Sequence, residues 1–220
     1  MGYFEQIPDF NYADRNVGAK IGDYTRVKNL FRRVKLREDI FQNTSFFEKY
    51  QIEGDDRPDN VANKIYGDSE LDWLVLVSNN IINIQTEWPM PQLAFDAFVL
   101  DKYGTYENLN AVHHYETVET KNSQGVVLVP AGLQVDAGST YTYYDGSDKS
   151  FVSTGDFTTP VTNYEYEERI ENEKRNIYLL KSRYLSVILD DIETEMGYKK
   201  GSSDYISGTL KSSSNIRLTT

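Results

Sequence analysis

The chain has 220 residues, of which 39% are hydrophobic, enough for one core with an insertion or for two small domains. Its net charge of −11 at pH 7 argues against general nucleic-acid binding, because neutralising phosphates requires a basic surface. The absence of cysteine excludes disulfides, thiolate catalysis and cysteine-ligated zinc.

Residues 1–45 are predicted to form an N-terminal arm and a basic helix. Residues 1–23 lack a clear period and hold several Asp, Asn and Gly residues, which favours an extended arm. From Thr25 to Arg37 the spacing of apolar residues predicts one helix face, made of Val27, Leu30, Phe31 and Val34.

The predicted helix is strongly basic. Residues 24–37 hold six Arg or Lys residues and no acid, a local charge of +6 that leaves −17 on the rest of the chain. Such a patch favours an acidic protein partner or self-complementary packing, and a solvated helix face is the plainer alternative. Arg32, Arg33 and Arg37 are therefore candidate partner-binding residues.

Residues 46–104 carry the clearest pattern, a strand followed by helices. Phe46 to Ile52 alternates as a strand does. Asp56 is predicted to cap a helix that has Pro58 in its first turn and ends at Gly67.

A second helix, Glu70 to Ser78, is predicted to be buried and to be capped by Asp68. Its apolar run is shorter than the roughly 20 residues of a bilayer span, and we expect a soluble protein without an export signal. Ile81 to Ile84 is predicted to return as a strand, and Gln92 to Tyr103 to form a helix that Gly104 ends.

Residues 105–160 are predicted to form a β-rich insertion. Val, Tyr, Thr, Ser and Gly are frequent there, with turn signals at Asn122 to Gly125 and at Asp145-Gly146. The predicted strands are Val112 to Val118, Val126 to Val129 and Thr140 to Tyr144.

Residues 161–200 are predicted to form a C-terminal helical segment. Thr162 and Glu165 match a capping box, Ile177 to Leu180 predicts a short strand, and Ser182 is expected to cap the last helix, which Gly197 ends.

The extended tail of residues 201–220 completes the predicted organisation. Like the arm, it carries apolar side chains that are costly to leave in water, so Tyr3, Phe4, Tyr205 and Leu210 are further candidate partner-binding residues. We expect both ends to order only on assembly, with the tail adding as a strand to a neighbour's edge.

Catalytic motifs are absent from the sequence, which has no phosphate-binding loop and no Gly-x-Ser-x-Gly turn. His113 and His114 are adjacent on a predicted strand and are expected to point to opposite faces, which disfavours a shared metal. Asp145 to Asp148 lacks the spacing of a calcium loop. We expect no enzymatic activity, no metal and no cofactor, while an active site built from distant residues stays open.

The stretch Gln51 to Ile82 resembles a LysM module. It has the family's Gly-Asp turn at Gly54-Asp55, its Ala-x-x-x-Tyr-Gly-Asp ending at Ala62 to Asp68, and its Asn-Asn pair at Asn79-Asn80. The resemblance implies an α+β fold, with a LysM-like βααβ core, flanking helices, a small β insertion and extended termini.

The first helix begins with Arg57-Pro58, where ordinary LysM modules favour Thr or Ser with Leu. Arg-Pro at this place resembles the LysM-like domain of the baseplate wedge protein of contractile-tailed phages. Asn29 to Arg33, Trp88-Pro89 and Tyr164 to Met196 also resemble that family. The resemblance implies a structural subunit of the virion tail baseplate, assembled in the host cytoplasm, that joins neighbouring wedges around the central hub. Its partners would be other wedge proteins and hub or tail-tube proteins, in a ring of six copies or a multiple, without nucleic acid or membrane.

Two alternative functions are also compatible with the resemblance to a LysM module. A peptidoglycan-binding LysM module would serve cell-wall penetration, although the chain has no recognisable hydrolase domain and no clear glycan-groove signature. A host adaptor would use the LysM fold only as a packing unit.

Overall fold

The structure is a computed structural model that describes residues 2–14, 16, 18–20, 23–121, 124–144, 150–154, 157–201 and 204–212. It is a mixed fold of helices and strands. The helices are α1 (Tyr3–Gln6), α2 (Glu38–Phe41), α3 (Pro58–Tyr66), α4 (Asp72–Ser78), α5 (Ile84–Glu87), α6 (Gln92–Tyr103), α7 (Tyr106–Leu109), α8 (Asn163–Glu173) and α9 (Leu185–Met196). The strands are β1 (Asp9–Ala13), β2 (Tyr24–Lys28), β3 (Phe47–Gln51), β4 (Val112–Thr117), β5 (Thr120–Lys121), β6 (Val127–Val129), β7 (Gln134–Val135), β8 (Thr140–Tyr144), β9 (Ser150–Thr154), β10 (Thr158–Thr162), β11 (Asn176–Leu180), β12 (Tyr205–Ser207) and β13 (Leu210–Ser212).

The chain packs as two compact units. Unit 1 combines Met1–Trp88 with Asn176–Thr220, and unit 2 is the intervening Pro89–Arg175. Unit 2 is therefore an insertion between two halves of unit 1. The five-segment division expected from the sequence stays a prediction, because it describes sequence character and not packing.

The core of unit 1 is closed by an antiparallel pair of strands, β3 and β11, in a register that runs from Gln51 opposite Asn176 to Phe47 opposite Leu180. Leu179 and Leu180 are fully buried in the same cluster as Val61 and Leu74. The strand predicted at Ile81 to Ile84 is wrong: residues 81–83 are irregular and α5 begins at Ile84.

The two helices between these strands follow from local signals. Pro58 occupies the first turn of α3, where its missing N–H costs nothing, and Gly67 ends the helix with a left-handed φ of 75°. The N-cap residue is Arg57, so the cap predicted at Asp56 is wrong by one position. Asp68 caps as predicted, accepting from the Glu70 N–H at the 3₁₀ turn Ser69–Leu71 that leads into α4.

The side chain of Asn79 binds the end of α4 to β11. Its Nδ2 donates to the carbonyl oxygens of Val75 (2.8 Å) and Tyr178 (2.9 Å), and its Oδ1 accepts from the Tyr178 N–H (2.7 Å). The amide thus satisfies the backbone of Tyr178 on the side of β11 away from β3, as a neighbouring strand would. Asn80 follows with a φ of 54°, which turns the chain out of the helix.

Both ends of the chain join one four-stranded sheet of unit 1, in the order β12-β13-β1-β2. β13 runs parallel to β1, with Leu210 opposite Asp9, and β2 runs antiparallel to β1. The sequence predicts that both ends order only on assembly and that the tail adds to a neighbour's edge. In the described residues the tail strand β13 instead pairs with β1 of the same chain, and Ile7 of the arm is buried in the core. Residues 213–220 of the predicted tail lie outside the described residues.

The basic helix predicted from Thr25 to Arg37 is also wrong. Its first part is strand β2, and residues 32–37 are irregular. Burial alternates there, with Val34 and Leu36 buried and Arg33 and Lys35 exposed, so the chain is extended. The apolar residues from Val27 to Val34 have the spacing of a helix, whereas apolar and basic residues alternate from Arg33 to Arg37 as in an extended chain. The extended conformation is the one that buries both Val34 and Leu36.

The last helix of unit 1, α9, buries Ile188, Ile192 and Met196 in the core. It follows a 3₁₀ turn at Ser182–Tyr184, and Gly197 is its C-cap as predicted. The cap predicted at Ser182 is wrong, because its hydroxyl donates to the Ile65 carbonyl oxygen (3.2 Å).

Unit 2 holds a small apolar cluster of Phe95, Val99 and Leu109, from α6 and α7. Two buried carboxylates of α8 are satisfied within the unit: Glu167 accepts from Lys102 Nζ (2.7 Å) and Glu171 from Lys174 Nζ (2.7 Å). The helix predicted from Gln92 to Tyr103 is confirmed, and so is the capping box at Thr162 and Glu165.

The β elements of unit 2 form the sheet β10-β4-β7 and the pairs β5-β6 and β8-β9. The three strands predicted for residues 105–160 are confirmed within one residue at each end, as β4, β6 and β8. The turn at Asp145-Gly146 lies outside the described residues, as does part of the turn at Asn122 to Gly125.

The position of the closing strand yields a mutational test. Leu179→Ala removes fully buried atoms from β11 and should lower the free energy of unfolding by about 2–5 kcal/mol. Ile82→Ala, in the segment first expected to close the core, truncates a side chain that is 70% exposed and should change it by less than about 0.5 kcal/mol. Urea unfolding of both variants would measure this, and equal losses would contradict the observed pairing.

Candidate partner-binding surfaces

The two basic residues of β2 share one carboxylate within the chain. Asp9 on β1 pairs with Arg26 Nε at 2.7 Å and with Lys28 Nζ at 3.1 Å. Partial burial would raise the pKa of Asp9, but hydrogen bonds from Lys28 and Arg26 outweigh it and hold that pKa below its usual value. Arg26 and Lys28 therefore stabilise the sheet, and Asp9 balances one of their two charges.

Arg32 is held by the C-terminal end of α9. Its Nη1 donates to the Met196 carbonyl oxygen at 2.5 Å, and its guanidinium lies 5.4 Å from the ring centroid of Tyr198. Asn29 Nδ2 donates to the Tyr198 hydroxyl at 2.9 Å. A cation at a helix C-terminus is favoured by the helix dipole, so Arg32 has a structural role that the sequence did not predict.

Arg37 is also paired within unit 1, with Asp39 (2.6 Å) and with Asp191 of α9 (3.0 Å). The hydrogen bonds that Arg37 donates to Asp39 and the charge of Asp191 raise the pKa of Arg37 above its usual range. Of the three arginines proposed as partner-binding, Arg33 alone is left exposed without such a partner among the described residues.

Residues 30–37, which we call the strap, present a second feature that sequence reasoning missed. Phe31 is 95% exposed and Leu30 is 69% exposed, whereas Val34 is fully buried. An exposed aromatic next to an aliphatic side chain is typical of a surface that a partner covers. The alternation of basic and apolar residues from Arg33 to Arg37 was the signal for an extended strap.

The four candidates at the chain ends have different environments. Tyr3 is half-buried against Trp73, with ring centroids 6.2 Å apart, whereas Phe4 is exposed. Tyr205 and Leu210 are half-buried in the sheet of unit 1, where Tyr205 lies opposite Lys211. Phe4 is therefore the end residue with the most surface to offer, and a partner-binding role for all four stays a prediction.

Unit 2 exposes apolar side chains of its own on α6. Phe95 and Val99 face the cluster of that unit, while Leu93 is 85% exposed and Phe98 is also exposed. Exposed apolar side chains on a helix that already buries Phe95 and Val99 are candidates for contact with a partner. The sequence pattern predicted the helix but did not indicate which of its apolar side chains are buried.

The two histidines lie together, contrary to the expectation of opposite faces. His113 Nδ1 and His114 Nδ1 are 2.8 Å apart, and the His113 ring stacks on Tyr166 with centroids 4.0 Å apart. The register shifts here, so that Val112 and His114 of β4 pair with consecutive residues of β10, leaving His113 as a bulge. Within the described residues, no group of three or more side chains suited to a metal ion was found.

The ion pair beside the histidines should make unit 2 sensitive to acid. Glu116 pairs with Arg169 Nη1 at 2.7 Å and with His114 Nε2 at 3.0 Å, and these partners, Arg169 first, hold the pKa of Glu116 below its ordinary 4.5. Because the folded state lowers this pKa, the pair stabilises the fold above pH 4.5, and the contribution is lost as pH falls through the folded pKa.

Glu116→Gln should therefore lower the melting temperature at neutral pH, and the difference from wild type should shrink as pH falls below 4.5. Glu168→Gln, an exposed change on the same helix as Arg169, serves as the control. A difference that stays constant with pH would contradict an ionic role for Glu116.

The described residues contain no helix that is both long and apolar enough to cross a membrane. No curated protein matches the sequence. A family model described as base plate wedge protein 53 matches residues 3–194, most of the chain and parts of both units. The chain therefore belongs to the base plate wedge protein 53 family, structural proteins of the phage tail baseplate that assemble with other baseplate components.

Proposed function

We propose that the protein is a connector that joins neighbouring wedges around the central hub of a contractile tail. One observation carries this proposal: the chain forms two compact units, and each unit exposes apolar side chains of its own. A connector needs two separate binding surfaces, and a single small domain rarely provides them.

On unit 1 the proposed surface is the tip of the strap, Leu30 and Phe31. Arg32 fixes the strap to α9, so the two apolar side chains are presented on an anchored segment. Anchoring reduces the conformational entropy lost on binding, which favours affinity.

On unit 2 the proposed surface is made of the exposed apolar side chains of α6, Leu93 and Phe98, which lie about 140° apart around the helix. The same helix is fixed within unit 2 by Phe95 and Val99 and by the Lys102–Glu167 ion pair. In the proposed ring of six copies, or a multiple of six, unit 1 would bind one wedge and unit 2 would bind the neighbouring wedge. Assembly of that ring would take place in the host cytoplasm.

The core of unit 1 is proposed to be LysM-like. In support, strand β3 is followed by helices α3 and α4, and the antiparallel partner β11 completes a βααβ order after unit 2. The Asn79-Asn80 pair that carries the resemblance joins α4 to β11 and turns the chain. The module would then serve as the structural core of unit 1 and not as a glycan-binding site.

The connector role can be tested on wedges assembled without this protein. Leu30→Ala/Phe31→Ala and Leu93→Ala/Phe98→Ala should each still bind single wedges but no longer join them, because each pair removes one of two surfaces. Phe41→Ala and Tyr106→Ala, also exposed, are the matched controls on unit 1 and unit 2. Electron microscopy would count joined wedges, and joining by both double variants would contradict the proposal.

A structural role for the LysM-like core also predicts the absence of glycan binding. We expect the full chain to show no saturable binding to purified peptidoglycan sacculi in a pull-down. An authentic glycan-binding LysM module is the positive control. Saturable binding would favour the alternative of a cell-wall-binding protein.

A further inference from the structure

We propose that the strap docks an extended, acidic segment of another baseplate subunit, with Phe31 as its apolar anchor. This proposal rests on the connector function and names the partner chemistry at the unit 1 surface. It is carried by the strap's unpaired charges, its extended backbone and the groove beside it.

The charges of the basic segment divide into two groups. Arg26 and Lys28 pair with Asp9, Arg37 pairs with Asp39 and Asp191, and Arg32 binds a helix end. Arg33 and Lys35 are exposed and have no carboxylate partner among the described residues. Two unpaired cations on a chain of net charge −11 are best matched by an acidic partner.

The extended backbone of the strap sets the shape of that partner. Val34 and Leu36 are buried, so Arg33 and Lys35 share the outward face and are about 7 Å apart, two residues along an extended chain. Carboxylates two residues apart on an extended segment have the same spacing. The backbone of Arg33 and Lys35 also has no hydrogen-bond partner among the described residues, as in an unpaired edge strand.

A groove of about 410 Å³ runs between the strap and α9. Its apolar floor is formed by Leu36, Ile192 and Met196. Its lining includes four basic side chains and two acidic ones, of which Asp191 is paired with Arg37. The groove therefore has room for a side chain of the partner and a net positive rim.

Position-specific crosslinking tests the occupant. The photo-reactive residue p-benzoylphenylalanine replaces Phe31 in the full chain, which is then added to wedges assembled without this protein. We expect mass spectrometry to find position 31 joined to a segment of another subunit that holds closely spaced Asp or Glu residues. Capture of a second copy of this chain, of a segment without acidic residues, or of nothing would overturn the proposal.

Charge reversal provides the second arm. In the Leu93→Ala/Phe98→Ala background, where single wedges are bound through the strap alone, Arg33→Glu/Lys35→Glu should weaken that binding about 10- to 100-fold, and Phe31→Ala about 30-fold or more. Lys199→Glu/Lys200→Glu makes the same change in net charge at exposed positions and should leave binding within about threefold. The milder Arg33→Ala/Lys35→Ala, with an unchanged melting temperature, should show a smaller loss in the same direction.

The outcomes separate this proposal from the connector function. If Arg33→Glu/Lys35→Glu binds and joins wedges as wild type does, the acidic-partner proposal is wrong and the connector function stands. If wild type binds single wedges through the strap but never joins them, the connector function is wrong and the acidic-partner proposal stands.

Discussion

The fold of unit 1 depends on the pairing of β3 with β11, two strands that lie on opposite sides of unit 2 in the sequence. This pairing buries Leu179 and Leu180 against α3 and α4, which have no other closing strand among the described residues. The Asn79 amide fixes the other edge of β11, so helix and strand are registered by directed hydrogen bonds as well as by packing. Closing a loop as long as unit 2 adds little to the entropic cost, because that cost grows only with the logarithm of loop length.

Geometry divides the basic residues of one short segment among three roles. On β2 they neutralise Asp9 within the sheet, at Arg32 and Arg37 they attach the strap to α9, and at Arg33 and Lys35 they face solvent. The local charge of +6 is therefore a poor measure of what a partner would encounter. Counting basic residues along the sequence overestimates the positive charge that a partner can reach, because carboxylates and a helix end of the same chain pair with several of these residues.

Local signals in the sequence were sufficient to predict those elements whose conformation is determined by residues close to them along the chain. Helix α6, the Thr162 capping box and the left-handed Gly67 all follow from caps, periodicity and φ preferences within one turn. The sequence could not identify the partner of β3, because Ile81 to Ile84 and Ile177 to Leu180 both look like short strands and the choice between them is made by burial. The bulge that brings His113 beside His114 is likewise set by register with β10, a partner that no local pattern names.

The interrupted core of unit 1 has a consequence for synthesis of the chain on the ribosome. At roughly 5–20 residues per second, the strand that completes the core is made roughly 5–20 s after α4. During that interval, Leu74 and its apolar neighbours on α3 and α4 lack the β11 side chains that bury them in the finished protein. Unit 2 is contiguous and its synthesis is complete at Arg175, just before β11 is made, whereas unit 1 still requires β11, α9 and β13. The order of synthesis therefore completes the inserted unit before the surrounding one. Until β11 is made, the apolar side chains of α3 and α4 are a surface that chaperones would bind.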